Sequence, residues 1–325
     1  MVIRSVVVGW GAELPGNPVT NDDLVARGVE TSDAWIAQRT GIRQRYIADA
    51  GITTSTLAFM AAQRALAKAG VPASSVDMLI VATTTPDQTF PSTATRVQGL
   101  LGMDTAPAFD VQAVCSGFVY ALSIADSFIR CGQARRVLVI GAETFSRLLD
   151  WSDRNTCVLF GDGAGALLLE AAEGEGTMAD RGVLSSRLYA DGSKNELLCM
   201  TGGPSSTQDM GHLQMTGREV FRWAVQRMAE SAILALEEAG ISPDQVDWLV
   251  PHQANIRILQ STAERIGIPE EKVIITVEHH GNTSAASIPL ALCEAAENGK
   301  IKAGQLLLLE AMGGGFTWGS ALLRW

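Results

Sequence analysis

Apolar residues fall along the chain in two rhythms. Val76 to Ala82 is apolar at every position but Asp77, which predicts a buried strand, and the β-branched run Ile3 to Val8 predicts another strand. Between them lie segments with helical spacing and end signals: Asn21 to Ala26; a turn-rich helix capped by Thr31 or Ser32 and closed by Gly41; and Thr54 to Ala69, closed by Gly70. Val111 to Gly117 reads as a strand edge and a tight turn, opening a helix that runs from Phe118 to Cys131 and stops at Gly132. Its apolar residues go almost all the way round. One polar stripe, Tyr120, Ser123, Ser127 and Arg130, remains, so most of this helix is expected inside. Strands alternating with helices predict an α/β architecture.

The pattern also repeats. Arg64 to Ile80 recurs as Leu234 to Val250, each residue matching the one 170 positions later, Val76 with Val246 for example. Val137 to Gly141 aligns with Leu306 to Glu310, and Gly163 to Leu169 with Thr317 to Leu323. Two similar halves, residues 1–172 and 173–325, are expected to pack as one pseudo-symmetric body.

In such sheets ligands sit beyond the carboxyl ends of strands. The repeat then places Cys115, at the start of its helix, near His252, which ends the strand from Val246, and near Asn282, which precedes the matching helix. Each has an ordinary reading: a buried apolar thiol, a satisfied core histidine, a helix cap. Cys115 has a second one, because a helix N-terminus favours a thiolate and is expected to lower its pKa, and Ser116 and Gly117 leave an approach open. Trp35 and Arg39 stand one helical turn apart, either as a surface pair or as a platform that stacks an aromatic base and holds a phosphate. The glycine clusters Gly161 to Ala166 and Gly313 to Gly319 lead into strands rather than open helices. They are tight turns and not dinucleotide loops, and the second can offer N–H groups to an oxyanion.

A net charge of −10 argues against nucleic-acid binding and against general attraction to anionic membranes, so an acidic partner needs a local basic patch. The 47% hydrophobic and 18% charged content predicts a fully folded chain. Five cysteines without metal-ligand spacing read as free thiols in a reducing compartment, with no zinc site expected. The apolar run at Val6 to Val8 is too short for a leader or a span, and a cytoplasmic location is expected.

Taken together, Asp33-Ala34-Trp35-Ile36 with Arg39 to Arg43, Val114-Cys115-Ser116-Gly117, Phe160 to Ala166, His252-Gln253-Ala254-Asn255, Gly281 to Ser287 and Gly313 to Leu322 resemble the β-ketoacyl-acyl-carrier-protein synthase III family. These are initiating condensing enzymes of bacterial fatty-acid synthesis. The resemblance implies the thiolase fold, five αβαβα layers from two duplicated halves, in a homodimer. It implies an acyl-Cys115 intermediate, His252 and Asn282 supporting decarboxylation of a malonyl thioester, and an oxyanion hole from the Cys115 and Gly314 amides. Trp35, Arg39, Arg154, Phe221 and Asn255 match coenzyme A and pantetheine contacts, and Phe90 matches a residue that reaches the partner subunit's acyl pocket. Acyl carrier protein and coenzyme A thioesters are the implied partners, and no cofactor is expected. Arg222, Arg257 and Arg265, with Arg218 as a possible fourth, are the expected carrier-protein patch, although Glu264 stands where the family usually carries a basic residue. His279 and His280 have no role assigned by the motif.

Three other readings compete, one of them a non-catalytic member that binds acyl thioesters or only assembles with other synthases, against which the intact Cys115, His252 and Asn282 count. A cysteine hydrolase also uses Cys, His and Asn, with the histidine deprotonating the thiol. A related condensing or acyl-transfer enzyme of secondary metabolism would keep the same three residues.

Overall fold

The computed structural model describes residues 1–325. One sheet carries five strands in the order Val2–Glu13, Gly163–Gly174, Arg136–Glu143, Met78–Ala82, Ala108–Val111. The other carries four, in the order Trp248–Pro251, Leu306–Gly313, Thr317–Arg324, Gly182–Ala190. The expected division at 172/173 falls inside the Gly163–Gly174 strand, and the chain passes to the second sheet between Gly174 and Gly182.

Successive side chains of a strand point to opposite faces, so each central strand feeds two cores. Val137 and Val139 face inward, where they join Phe118, Leu122 and Ile129 of the helix Gly117–Arg130. Ile288, Ala291 and Leu292 of the helix Ser287–Glu297, with Leu307 and Leu309 of the second sheet, complete that core. Leu138 and Ile140 face outward against Leu57, Ala61 and Ala65 of the helix Thr54–Ala69. Leu306 and Leu308 face the other outer layer, where Ala232 and Leu236 of Gly217–Ala239 meet Ile266 of Ile256–Ile266. The layers therefore run helix, sheet, helix, sheet, helix, the five-layered arrangement expected. The all-round apolar helix is one of the two in the middle. No helix is long and apolar enough to cross a membrane.

The ladders correct one alignment. Met78 pairs with Val137 and Trp248 with Leu307, so Val137 corresponds to Leu307, 170 positions on, and not to Leu306. Leu306 to Leu309 is leucine at every position, so hydrophobicity carries no phase there, and a one-residue slip exchanges the two faces of a strand. The same spacing of 170 relates Val114 and Ser284, which both adopt left-handed backbone, at φ 48° and 49°. Gly141 lets the second half approach the first sheet, since a Cβ there would sit 2.2 Å from the Ala285 carbonyl oxygen.

Candidate active site

A short 3-10 turn, Val114–Ser116, leads into Gly117–Arg130 and carries Cys115. The Ser116 and Thr317 hydroxyls hold this turn by donating to the Ala113 carbonyl at 2.7 and 2.9 Å. Gly313 packs on its other side, where a Cβ would lie 2.6 Å from the Cys115 amide nitrogen. No carbonyl accepts from the Cys115 or the Gly314 amide, which leaves two donors beside the sulfur turn for an oxyanion. Gly314 itself packs toward the Leu198 carbonyl, and it is Gly313 that makes the closest approach to Cys115.

The thiol differs from expectation. Cys115 is 6% exposed, and burial pushes its pKa up to about 12 instead of lowering it. The Ser284 hydroxyl and the residue's own amide favour the thiolate, while the charge of Glu143 opposes it. Desolvation outweighs the helix end because the residue is almost wholly buried, so the resting group is a thiol. Only a thiolate alkylates readily. The rate of iodoacetamide modification at Cys115, read by peptide mass spectrometry, should therefore climb about tenfold per pH unit from pH 7 to pH 9. A plateau near neutrality would contradict a burial-dominated thiol.

His252 follows the Trp248–Pro251 strand and donates its amide to the Glu310 carbonyl at 2.8 Å. It is buried, and desolvation holds its pKa down at about 3, so the imidazole is neutral. Asn282 is also buried. Its Oδ1 accepts from the Ser284 amide at 2.9 Å, which fixes the side-chain amide and leaves its NH₂ free to donate.

Cys115, His252 and Asn282 all line one cavity of about 500 Å³, together with Trp35, Arg39, Phe221, Asn255, Arg218 and Arg257. Ser32 caps the helix Asp33–Thr40 by accepting from the Trp35 amide at 3.2 Å, which presents the indole on that wall. Arg39 lies 4.6 Å and Arg154 5.1 Å from the Trp35 ring centroid, so one aromatic face gathers two guanidinium groups. Asn255 caps Ile256–Ile266 through its Oδ1. A second, apolar cavity of about 50 Å³ adjoins Cys115, walled by Phe145, Leu148, Phe160, Leu198, Met200 and Leu213 among others.

Arg154, Arg222 and Arg265 do not line the large cavity, nor does Phe90, which was expected at a second chain's pocket. Phe90 is 82% exposed and forms no wall of the acyl-sized cavity of its own chain. Arg222 pairs with Glu219 at 2.7 Å, three positions earlier on the same helix face, and does not line the large cavity. Arg265 is exposed and also lies outside it.

Sequence reasoning missed three buried polar residues. The Glu143 carboxylate accepts from the Thr84 amide at 3.1 Å and the Thr85 hydroxyl at 2.7 Å, and burial raises its pKa to about 7. Ser284, with no well-aligned hydrogen bond of its own, lies near enough to both Glu143 and Cys115 to favour their charged forms. Glu310 is fully buried with both carboxyl oxygens unpartnered, and burial pushes its pKa up to about 8, so it is mainly uncharged at neutral pH. A glutamate in each of the apolar runs 137–143 and 306–312 was the available signal.

Residues 109–192 match the 3-oxoacyl-[acyl-carrier-protein] synthase III family, and residues 236–325 match its C-terminal domain. The chain is 62% identical over 325 residues to the β-ketoacyl-[acyl-carrier-protein] synthase III of Rhodospirillum centenum, covering 100% of both. It is 60% identical over 324 residues to that of Sinorhizobium medicae, again covering 100% of both. Among solved structures, the 3-oxoacyl-[acyl-carrier-protein] synthase III of Aquifex aeolicus superposes with a TM-score of 0.93 at 48% identity, over 99% of this chain and 100% of that one. OleA of Xanthomonas campestris shares the fold alone, at 22% identity and a TM-score of 0.86 over 99% of this chain and 97% of that one. Two duplicated halves that close over a cysteine, a neutral histidine and an oriented asparagine, with these relatives along the whole length, make the chain a member of the 3-oxoacyl-[acyl-carrier-protein] synthase III family.

Proposed function

We propose that the chain joins a short acyl group from coenzyme A to malonyl-acyl-carrier-protein, giving a 3-oxoacyl-acyl-carrier-protein, coenzyme A and CO₂. Family membership supports a condensing role in fatty-acid synthesis. The observation that carries the site assignment is the single cavity shared by Cys115, His252, Asn282 and the Trp35 platform. Coenzyme A rests on Trp35 with Arg39 and Arg154 at its phosphates, and its pantetheine passes Phe221 and Asn255. The Cys115 sulfur attacks the thioester carbonyl while the Cys115 and Gly314 amides hold the oxyanion; the C–S bond to coenzyme A breaks, and the thiol proton leaves with coenzyme A. Malonyl thioester then enters. Its C–C bond to the carboxylate breaks, CO₂ departs, and His252 with the Asn282 amide hydrogen-bonds the enolate oxygen. The enolate carbon attacks the acyl-Cys115 carbonyl, and the sulfur leaves as a thiolate that takes one proton from solvent to restore the resting thiol.

The acyl chain lies in the 50 Å³ cavity, whose apolar walls suit a primer of very few carbons. Phe90, exposed on one chain, is assigned to the acyl pocket of a second chain in a homodimer. All five cysteines are free thiols, in keeping with a reducing cytoplasm.

The test is turnover of malonyl-acyl-carrier-protein with acetyl-, butyryl- and hexanoyl-coenzyme A. Acetyl should be preferred over hexanoyl by about tenfold or more, with 3-oxobutyryl-acyl-carrier-protein as the product. Hydrolysis without a carbon–carbon bond would return the reading to a hydrolase.

Carrier-protein docking is assigned to Arg257, Arg265 and Arg218, since Arg222 is already paired. Arg257 shares the coenzyme cavity, so its reversal should damage both substrates. Arg265→Glu, outside the cavity, should raise KM for malonyl-acyl-carrier-protein, leave KM for acetyl-coenzyme A unchanged, and be mimicked by salt. Equal effects on both, or none on either, would place docking on another face.

A further inference from the structure

Beside the one-turn helix Val277–His280, apart from the reaction cavity, two imidazoles and a carboxylate converge. We propose that His279, His280 and Glu294 form a binding site for one divalent transition-metal ion of the zinc class. The Nε2 atoms of His279 and His280 lie 2.8 and 3.2 Å from the same oxygen, Glu294 Oε2. The two rings stand 4.4 Å apart at 67°, so they approach that point from different directions instead of stacking. One donor atom from each residue falls within 4.8 Å of the others, close enough for small shifts to bring all three onto one ion.

The surroundings fit an ion as well. His280 is 5% exposed and its other ring nitrogen, Nδ1, has no partner, so the structure leaves this buried imidazole incompletely used. His279 and Glu294 are partly exposed, and a cavity of about 400 Å³ lined by His280 and Glu294 adjoins them, with room for water to complete a coordination shell. The cations on that cavity do not compete for Glu294: Lys68 pairs with Glu297 and Arg64 with Glu13. Two imidazoles and one carboxylate with an open position suit zinc, cobalt or nickel, whereas magnesium and calcium prefer an all-oxygen shell. A bound ion would tie the turn leading into Asn282 to the middle of the helix Ser287–Glu297. The earlier expectation of no zinc site rested on cysteine spacing, which says nothing about adjacent histidines and a glutamate on the next helix.

The test uses the full chain without an added histidine tag, stripped by chelator and titrated with Zn²⁺ by calorimetry and with Co²⁺ by visible absorption. One ion per chain should bind, with proton release, and Zn²⁺ should raise the melting temperature. His279→Asn should weaken binding on the order of 10²-fold or more and abolish the thermal shift. Glu294→Gln should do the same but also removes the charge that faces buried His280, so the more exposed His279 is the deciding position. Cys131→Ser, which removes the exposed thiol, should titrate like the parent. Absence of saturable uptake, unchanged binding by His279→Asn, or loss of binding in Cys131→Ser would each overturn the site.

Discussion

His252→Ala and Asn282→Ala are each expected to retain most of the rate of Cys115 acylation while slowing malonyl decarboxylation by on the order of 10² or more. The split follows from what each group offers. Burial keeps the His252 imidazole neutral, so it brings a hydrogen bond without a positive charge and does not rest as an ion pair with the buried thiol. Asn282 spends its oxygen on the Ser284 amide, which leaves only donors for a substrate. In the proposed mechanism both therefore act where enolate charge develops, and little of that charge exists during transfer from coenzyme A. Asn282→Asp separates chemistry from structure, since it keeps an acceptor for Ser284 but loses the donor. It should show the same decarboxylation defect with the turn intact. Single-turnover measurements of each half-reaction decide the matter; collapse of acylation with decarboxylation preserved would exchange the roles and favour a hydrolase.

Gly313→Ala should lower both half-reactions together, by about 10²-fold. The added Cβ would fall 2.6 Å from the Cys115 amide nitrogen and 2.9 Å from the Ala113 carbonyl oxygen, both backbone atoms that cannot swing aside. Overpacking of this kind costs about 1–3 kcal/mol. Relief requires the glycine turn or the cysteine turn to move. Either movement misplaces the two free amides relative to the sulfur, and acyl transfer and condensation both pass through an oxyanion at that point. Gly51→Ala, where a Cβ meets nothing within 4 Å, is the matched control and should be silent. Wild-type rates for both half-reactions of Gly313→Ala would remove the glycine turn from the oxyanion site.

Much of this architecture is legible in the sequence because duplication turns one chain into two aligned copies. Val76 and Val246 set the spacing, and strand ends then bring Cys115, His252 and Asn282 to one place without any knowledge of side-chain geometry. The slip at Leu306 arose where four consecutive leucines erase the phase that backbone pairing restores. The thiol's direction was misread for a different reason. A helix start is visible locally, but the burial that desolvates the sulfur, with the Glu143 charge adding to it, is a property of the closed fold. The pairing of Arg222 with Glu219 was available from their three-residue spacing, whereas the walls of the small apolar cavity beside Cys115 come from segments as distant as Thr84 and Leu213. Glu310 announced itself only as a charge among leucines; that it lacks any partner depends on what packs across from it.

The central claim is that one thiol, Cys115, carries the acyl group. Intact mass spectrometry after brief exposure to acetyl-coenzyme A, followed by peptide mapping, tests it directly. The account predicts a single acetyl adduct on the peptide containing Cys115, discharged by malonyl-acyl-carrier-protein and absent from Cys115→Ala. An adduct on Cys131, Cys157, Cys199 or Cys293, or one that persists in Cys115→Ala, would contradict it.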